Sequence, residues 1–292
     1  MTAIGVLCAR VRVEEKQIIT ALGDAGAVAM PVPPASMPLP PGPAPQDLAA
    51  LGASDVTGAA PQVLIDRCQN RAVAGAMLQI LHGSSVQVID AGLAATGTRV
   101  QVASALAVAG LSRPASLVAF SEASGIQAAA QLSYPTTLLP LTPGSATTCL
   151  LDEDTAEAVI EHRIVLGNHA EAIVLLQAGA PEALTRVHVI GGRAIAVEGD
   201  LTSAEAIRMA EQAAATLDAS LVAIDIACAG GECVVWDAVP VADFRQSTPL
   251  GATSVAQALA ELATERARER ATSVAIPVGW ETEAPRGIVL SA

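Results

Sequence analysis

The sequence predicts an α/β protein with an N-terminal parallel α/β unit followed by two α+β units. Three observations lead there. Short apolar runs alternate with segments of helical spacing over residues 3–90, the pattern of a parallel sheet covered by helices. A Gly191-Gly192 pair between alternating strands then marks a switch to antiparallel pairing. Finally, 292 residues at 52% apolar composition are enough for one large domain or two to three small ones, with ample material for a core.

Taken in order, AIGVLCA (3–9) reads as a buried strand, and VEEKQIITALGDAG (13–26) as a helix closed by Gly26. PVPPASMPLPPGPAP (31–45) holds eight prolines in fifteen residues, so it reads as an extended surface loop. PQVLIDRC (61–68), NRAVAGAMLQILHG (70–83) and VQVID (86–90) follow as strand, helix and strand. TRVQVASALAVAGL (98–111) is a helix stopping at Gly110, ASLVAF (115–120) a strand, and SEASGIQAAAQLS (121–133) a helix opened by a serine cap. YPTTLLPLTPGSATTCLLD (134–152) reads as two strands around a Pro-Gly-Ser turn.

EDTAEAVIEHRIVLG (153–167) has acids in its first turn and a closing glycine, which suits a helix, and AIVLLQAG (172–179) is a strand. RVHVIGGRAIAVEG (186–199) is a hairpin. LTSAEAIRMAEQAAATLD (201–218) carries a capping box, Thr202 with Glu205. Strands LVAIDIACA (221–229) and CVVWDAVPV (233–241) flank Gly230-Gly231, and SVAQALAELATERARERA (254–271) is an amphipathic helix. The tail contains strand-like pieces SVAIPV and GIVL and has no assigned place.

Composition excludes several function classes. A net charge of −13 argues against nucleic acid and against an anionic membrane, since both are bound through Lys and Arg. Five aromatic residues are too few for a base-stacking platform, and lysine occurs once, at Lys16. No basic leader precedes an apolar run at the start, and no window of about 18 uninterrupted apolar residues follows, so the expected location is the cytoplasm. Cys8, Cys68, Cys149, Cys228 and Cys233 lie in or beside apolar runs without a Cys-x-x-Cys pair and read as inert core thiols. His82, His162, His169 and His188 are scattered, away from the carboxylates or thiols a metal would need.

Five stretches, in their order and spacing, resemble the ATP-grasp ligases, in the group containing RimK and LysX: DRCQNRAVAG (66–75), ALAVAGLSRPASLVA (105–119), YPTTLLPL with Gly144-Ser145, RVHVIGGRAIA (186–196), and LVAIDI with CVVWDAV (221–239). The similarity spans residues 3 to 265 and implies an ATP-grasp-like fold. Its parts would be a pre-ATP-grasp-like unit at 1–92, a central unit at 93–180, a C-terminal unit at 181–271 and a tail at 272–292. Such ligases use ATP and magnesium to activate a carboxylate as an acyl-phosphate, which an amine then displaces.

The resemblance also implies site positions, and several carry the wrong chemistry. Arg99 stands where a phosphate-binding lysine is usual, and Leu139 where a second lysine belongs. Gly144 and Ser145 remain of the glycine-rich turn over the phosphates, and Leu176 takes the place of the acid on the adenine side. Asp225 and Asp237 match two magnesium ligands, whereas Val239 replaces a ligating asparagine. Arg186 matches an arginine that holds the transferring phosphate or acyl-phosphate. Arg113 and Arg163, the nearest other basic residues in sequence, lie off the strand pair at 134–152, and the passage from 194 to 206 leaves no room for a substrate-covering loop.

Two functional readings result. In the first, the protein is a catalytically silent binding or scaffolding subunit, with itself or an active ligase relative as partner and possibly no cofactor. The alternative is a working ligase joining aminoadipate or glutamate to a carboxylate of a small acidic carrier protein, with ATP and magnesium. A third reading, a small-ligand-binding α/β protein outside the family, assigns no residue. The apolar surplus is consistent with a homo-oligomer, the proline-rich loop and the tail being the candidate contacts.

Overall fold

The computed structural model describes residues 2–36, 39, 61–82, 84, 86–167, 173–181, 183–199 and 203–274. Four parallel strands, β1 (Ala3–Leu7), β2 (Val28–Val32), β3 (Val63–Asp66) and β4 (Gln87–Ile89), form a first sheet in the order β2-β1-β3-β4. The start of the expected proline-rich loop is in fact the second strand of this sheet. Its Pro31 is tolerated because β2 is an edge, where one backbone N–H has no ladder to join. Residues 37–38 and 40–60, the bulk of that loop, lie outside the described residues.

Strand alternation sends Ile4, Val6, Val63 and Ile65 toward α1 (Val13–Asp24) and Leu7 and Leu64 toward α2 (Arg71–Leu81). Buried Ile18 and Leu22 of α1 complete the first layer, and Ala74, Met77 and Leu81 of α2 the second. Asn70 caps α2 by accepting the Val73 N–H.

The chain then crosses to the C-terminal sheet through Gly92, whose φ is +53°; a Cβ there would stand 2.0 Å from the Leu217 carbonyl oxygen. Only glycine fits this crossing. A short helix α3 (Leu93–Thr96), absent from the sequence expectation, leads into α4 (Arg99–Val108), capped by Thr98. Buried Val102 and Leu106 of α4 pack among Val187, Val222 and Ile224.

The middle sheet, in the order β5-β8-β6-β7, is antiparallel throughout and consists of β5 (Ser116–Ala119), β6 (Thr136–Leu139), β7 (Thr148–Leu150) and β8 (Val174–Ala178). One face packs Leu138, Leu150, Val174 and Leu176 on α5 (Glu122–Leu132) and α6 (Glu153–Leu166). The third sheet runs β12-β11-β9-β10-β13, with β9 (Thr185–Ile190), β10 (Arg193–Glu198), β11 (Leu221–Ala229), β12 (Glu232–Val239) and β13 (Thr248–Pro249). Gly191 and Gly192 turn the first hairpin at φ +56° and +78°, as expected for a tight two-residue connection.

Helix α7 (Ala204–Thr216) is capped by Ser203, whose hydroxyl accepts the Ala206 N–H, rather than by Thr202, which lies outside the described residues. Helix α8 (Val255–Val274) returns to pack Leu259 and Ala263 against α1 and the first sheet. It includes 272–274; the rest of the tail is outside the described residues. Among the described residues no helix is long and apolar enough to cross a membrane.

The cysteines depart from expectation. Cys228 and Cys233 form a disulfide across β11 and β12, and Cys149 is exposed; Cys8 and Cys68 alone are buried free thiols. Burial, reinforced by the Glu15 charge, pushes the Cys8 thiol up to about 11, so it stays protonated and inert at neutral pH.

Candidate functional site

Strand register places the charged residues in one row. Glu198 on β10 stands opposite Arg186 on β9, Arg186 opposite Asp225 on β11, and Asp225 opposite Asp237 on β12. Arg186 grips Asp225 with two bonds, Nε to Oδ1 at 2.7 Å and Nη2 to Oδ2 at 2.9 Å, and lies 3.8 Å from Glu198. At the other end Arg99, from the first turn of α4, donates through Nη2 to Asp237 Oδ2 at 2.6 Å and through Nε to both oxygens at 3.1 Å. The structure thus brings Arg99, Arg186, Asp225 and Asp237 together.

Their charges are spent on one another. Burial holds the Asp225 carboxyl above its ordinary value, with the bidentate Arg186 opposing that rise only in part; the same bond holds the Arg186 guanidinium above its usual value. We take the pair as ionised at neutral pH, because two short parallel bonds satisfy both groups. Glu198, Arg186, Asp225, Asp237 and Arg99 together carry one net negative charge. Arg113, whose guanidinium is lowered by burial and partly restored by the Asp237 charge, offsets it.

The turn between β6 and β7 is turned the wrong way for a phosphate. Arg99 takes the carbonyl oxygens of Pro140 at 2.9 Å and Ser145 at 2.8 Å, and its backbone N–H donates to the Leu141 carbonyl at 2.7 Å. Carbonyls aimed into the site repel anions, where a phosphate cradle needs N–H groups. Gly144, at φ +78°, lets the turn press on the residue after Val239: a Cβ there would stand 3.3 Å from Pro240 Cδ. The cavity beside this turn, lined by Gln69, Arg71, Gly144, Ser145, Pro240 and Val241, measures about 220 Å³, below the roughly 300 Å³ at which small-molecule pockets begin.

Leu139, paired with Leu175, is buried on the side of β6 that faces the third sheet, the face it shares with Thr137 and Gln177. Leu176 does not belong to the site. It points into the core against α5 and α6, and the neighbour that faces inward is Gln177, whose side chain accepts from Arg113 Nη2 and donates to the Trp236 carbonyl, both at 3.2 Å. Arg113, which the sequence places off the strand pair, therefore reaches the site from the segment before β5. Glu198, Arg113 and Gln177 are members the sequence did not assign to the site; a simple Gly191-Gly192 hairpin register would set Val197 opposite Arg186, and the β-bulge between Ala194 and Ala196 puts Glu198 there instead.

No family model and no curated protein matches the sequence. The structure is similar to the crystal structure of a RimK domain ATP-grasp protein from Sphaerobacter thermophilus, with a TM-score of 0.72 at 25% identity over 90% of this chain and 100% of that one. The chain has an ATP-grasp fold of the RimK-like kind. The ATP-grasp ligase PsnB, complexed with a minimal precursor, superposes at a TM-score of 0.65 with 18% identity over 91% of this chain and all of PsnB. D-alanine–D-alanine ligase from Bacillus anthracis does so at 0.61 with 12% identity over 94% of this chain and 100% of that one.

ATP-grasp ligases work with ATP and magnesium, and the residues of this ATP-grasp chain do not fit either. Both acids are held by arginines, Val239 offers no oxygen, and Leu139 offers no charge. Among the described residues no group of three or more His, Cys, Asp and Glu side chains is arranged to hold a metal ion.

Proposed function

We propose that this ATP-grasp chain is catalytically silent and acts as a binding or scaffolding subunit, paired with a second copy of itself or with an active ligase of the same fold. The observation that carries the reading is the Arg99–Asp237 pair: the cation that should meet a phosphate and the acid that should meet a metal neutralise each other in a buried site. Admitting a magnesium nucleotide requires breaking that pair and the Arg186–Asp225 pair, and re-burying a polyanion with no lysine at position 139. The net charge of −13 keeps nucleic acids and anionic membranes out of the partner set.

Titration calorimetry with ATP and magnesium is expected to give no binding heat at millimolar ligand. The double substitution Leu139→Lys with Val239→Asn supplies a phosphate cation and a metal oxygen, and should raise affinity from that baseline. Micromolar binding by the unaltered protein would end this reading.

One feature favours an active ligase as a second reading: Asp225 and Asp237 stand directly opposite each other on neighbouring strands. An enzyme using them to join aminoadipate or glutamate to an acidic carrier protein would release ADP only when a carboxylic acid is supplied. Asp225→Ala would abolish that release.

A further inference from the structure

The Cys228–Cys233 disulfide joins residues that are already neighbours. They are directly opposed in the ladder, two positions from the Gly230-Gly231 turn, and both turn glycines adopt the positive φ that a tight hairpin needs, +62° and +90°. Pairs on either side, Ala227 with Val234 and Ala229 with Glu232, continue the register without help from sulfur. A bond that closes so short a loop removes little chain entropy, because the stabilising effect grows with loop length. The hairpin therefore does not depend on it.

The two sulfurs are unequal. Cys228 is exposed, whereas Cys233 is buried, with its sulfur 3.7 Å from the Ser203 hydroxyl that caps α7. Released as a thiol, Cys233 keeps that hydroxyl as a neighbour, so opening the bond does not strand a buried sulfur. The same two strands carry Asp225 and Asp237, and a β-bulge between Asp225 and Ile226 separates the acids from the tethered end. The tether acts on the outer part of the hairpin, beyond the bulge.

We propose that Cys228–Cys233 is a reversible dithiol–disulfide couple, a modification site opened from Cys228 by a small thiol of the glutathione class. The small thiolate attacks the Cys228 sulfur, the S–S bond breaks, and its electron pair leaves on Cys233, which takes a proton from water. A second small thiolate then attacks the small-thiol sulfur of the mixed disulfide and expels the Cys228 thiolate, which also takes a proton from water. The protein disulfide gains two electrons and two protons, and two small thiols leave as one small-molecule disulfide. Exposed disulfides of this kind are the labile ones.

The test uses the folded full chain and reduced glutathione, followed by iodoacetamide and peptide mass analysis. The expected result is reduction of this pair without denaturant, with Cys228 alkylated faster than Cys233. In Cys233→Ser, oxidised glutathione should form a mixed disulfide at Cys228; in Cys228→Ser, Cys233 should stay unmodified. Resistance of the native bond to glutathione overturns the proposal, as does glutathione settling on exposed Cys149 instead of Cys228. The Cys228→Ser/Cys233→Ser protein should keep the wild-type circular dichroism spectrum. Failure of that variant to fold would make the bond a structural staple and overturn the proposal equally.

Discussion

Replacing Arg99 by methionine is expected to lower unfolding free energy by about 3–5 kcal/mol at neutral pH, the range for breaking a buried ion pair from one side. Arg99 is 3% exposed and makes three hydrogen bonds to Asp237 and two to the carbonyls of Pro140 and Ser145. Methionine fills much of the volume and supplies none of them. Asp237 would then be a buried carboxylate with no direct ion pair, its nearby positive charges being Arg113, which also bonds Gln177, and Arg186, which is held by Asp225. The partner substitution completes the argument: Arg99→Met combined with Asp237→Leu removes both charges, and should recover most of the loss because well-packed apolar residues replace a buried ion pair at little cost. Urea denaturation of the four proteins in the cycle measures the coupling, expected to be at least about 3 kcal/mol because the double substitution cancels most of the single loss. If Arg99→Met unfolds like wild type, the pair is not a closed structural unit, and the silent reading loses its main support.

How much of this was legible in the sequence depends on distance along the chain. The parallel sheet was legible because buried strands write themselves as continuous apolar runs, as in 3–9 and 61–68. Strand β2 was obscured by Pro31 and the prolines after it, although an edge position makes that proline harmless. Arg99, Arg186, Asp225 and Asp237 were each named from the sequence, but not that they meet. Arg99 and Asp237 are joined only by tertiary packing, across the α4 start and the far hairpin. Leu176, standing near the place of an adenine-side acid, is a core residue against α5 and α6, and the alternation of strand faces leaves its neighbour Gln177 turned toward the third sheet. The disulfide was within reach of the sequence, because a two-residue Gly230-Gly231 turn sets Cys228 directly against Cys233.

His188 should make the protein acid-sensitive in a defined window. It is 3% exposed on β9, its Nε2 has no hydrogen-bond partner, and the Phe244 ring meets it edge-on with centroids 6.4 Å apart. Burial, then the Arg186 and Arg67 charges, lower its pKa from 6.5 to about 3. The unfolded chain therefore binds a proton below about pH 6.5 that the folded chain refuses until about pH 3, so stability falls as pH falls through that interval and is unaffected by this group above it. At pH 4 the contribution is a loss of about 3 kcal/mol relative to pH 7, from 1.36 kcal/mol per pH unit across the window. Other carboxylates titrate in the same range: Glu15 is lowered, its Arg12 and Arg67 contacts outweighing burial, while burial raises Asp66 and Asp225. Comparing wild type with His188→Leu cancels them, because both proteins carry all three. The leucine protein should lose about 3 kcal/mol less than wild type between pH 7 and pH 4 in parallel urea titrations. Equal losses in the two proteins would mean that His188 is already able to take up its proton in the folded state, against the geometry that buries it between two arginines and a phenyl ring.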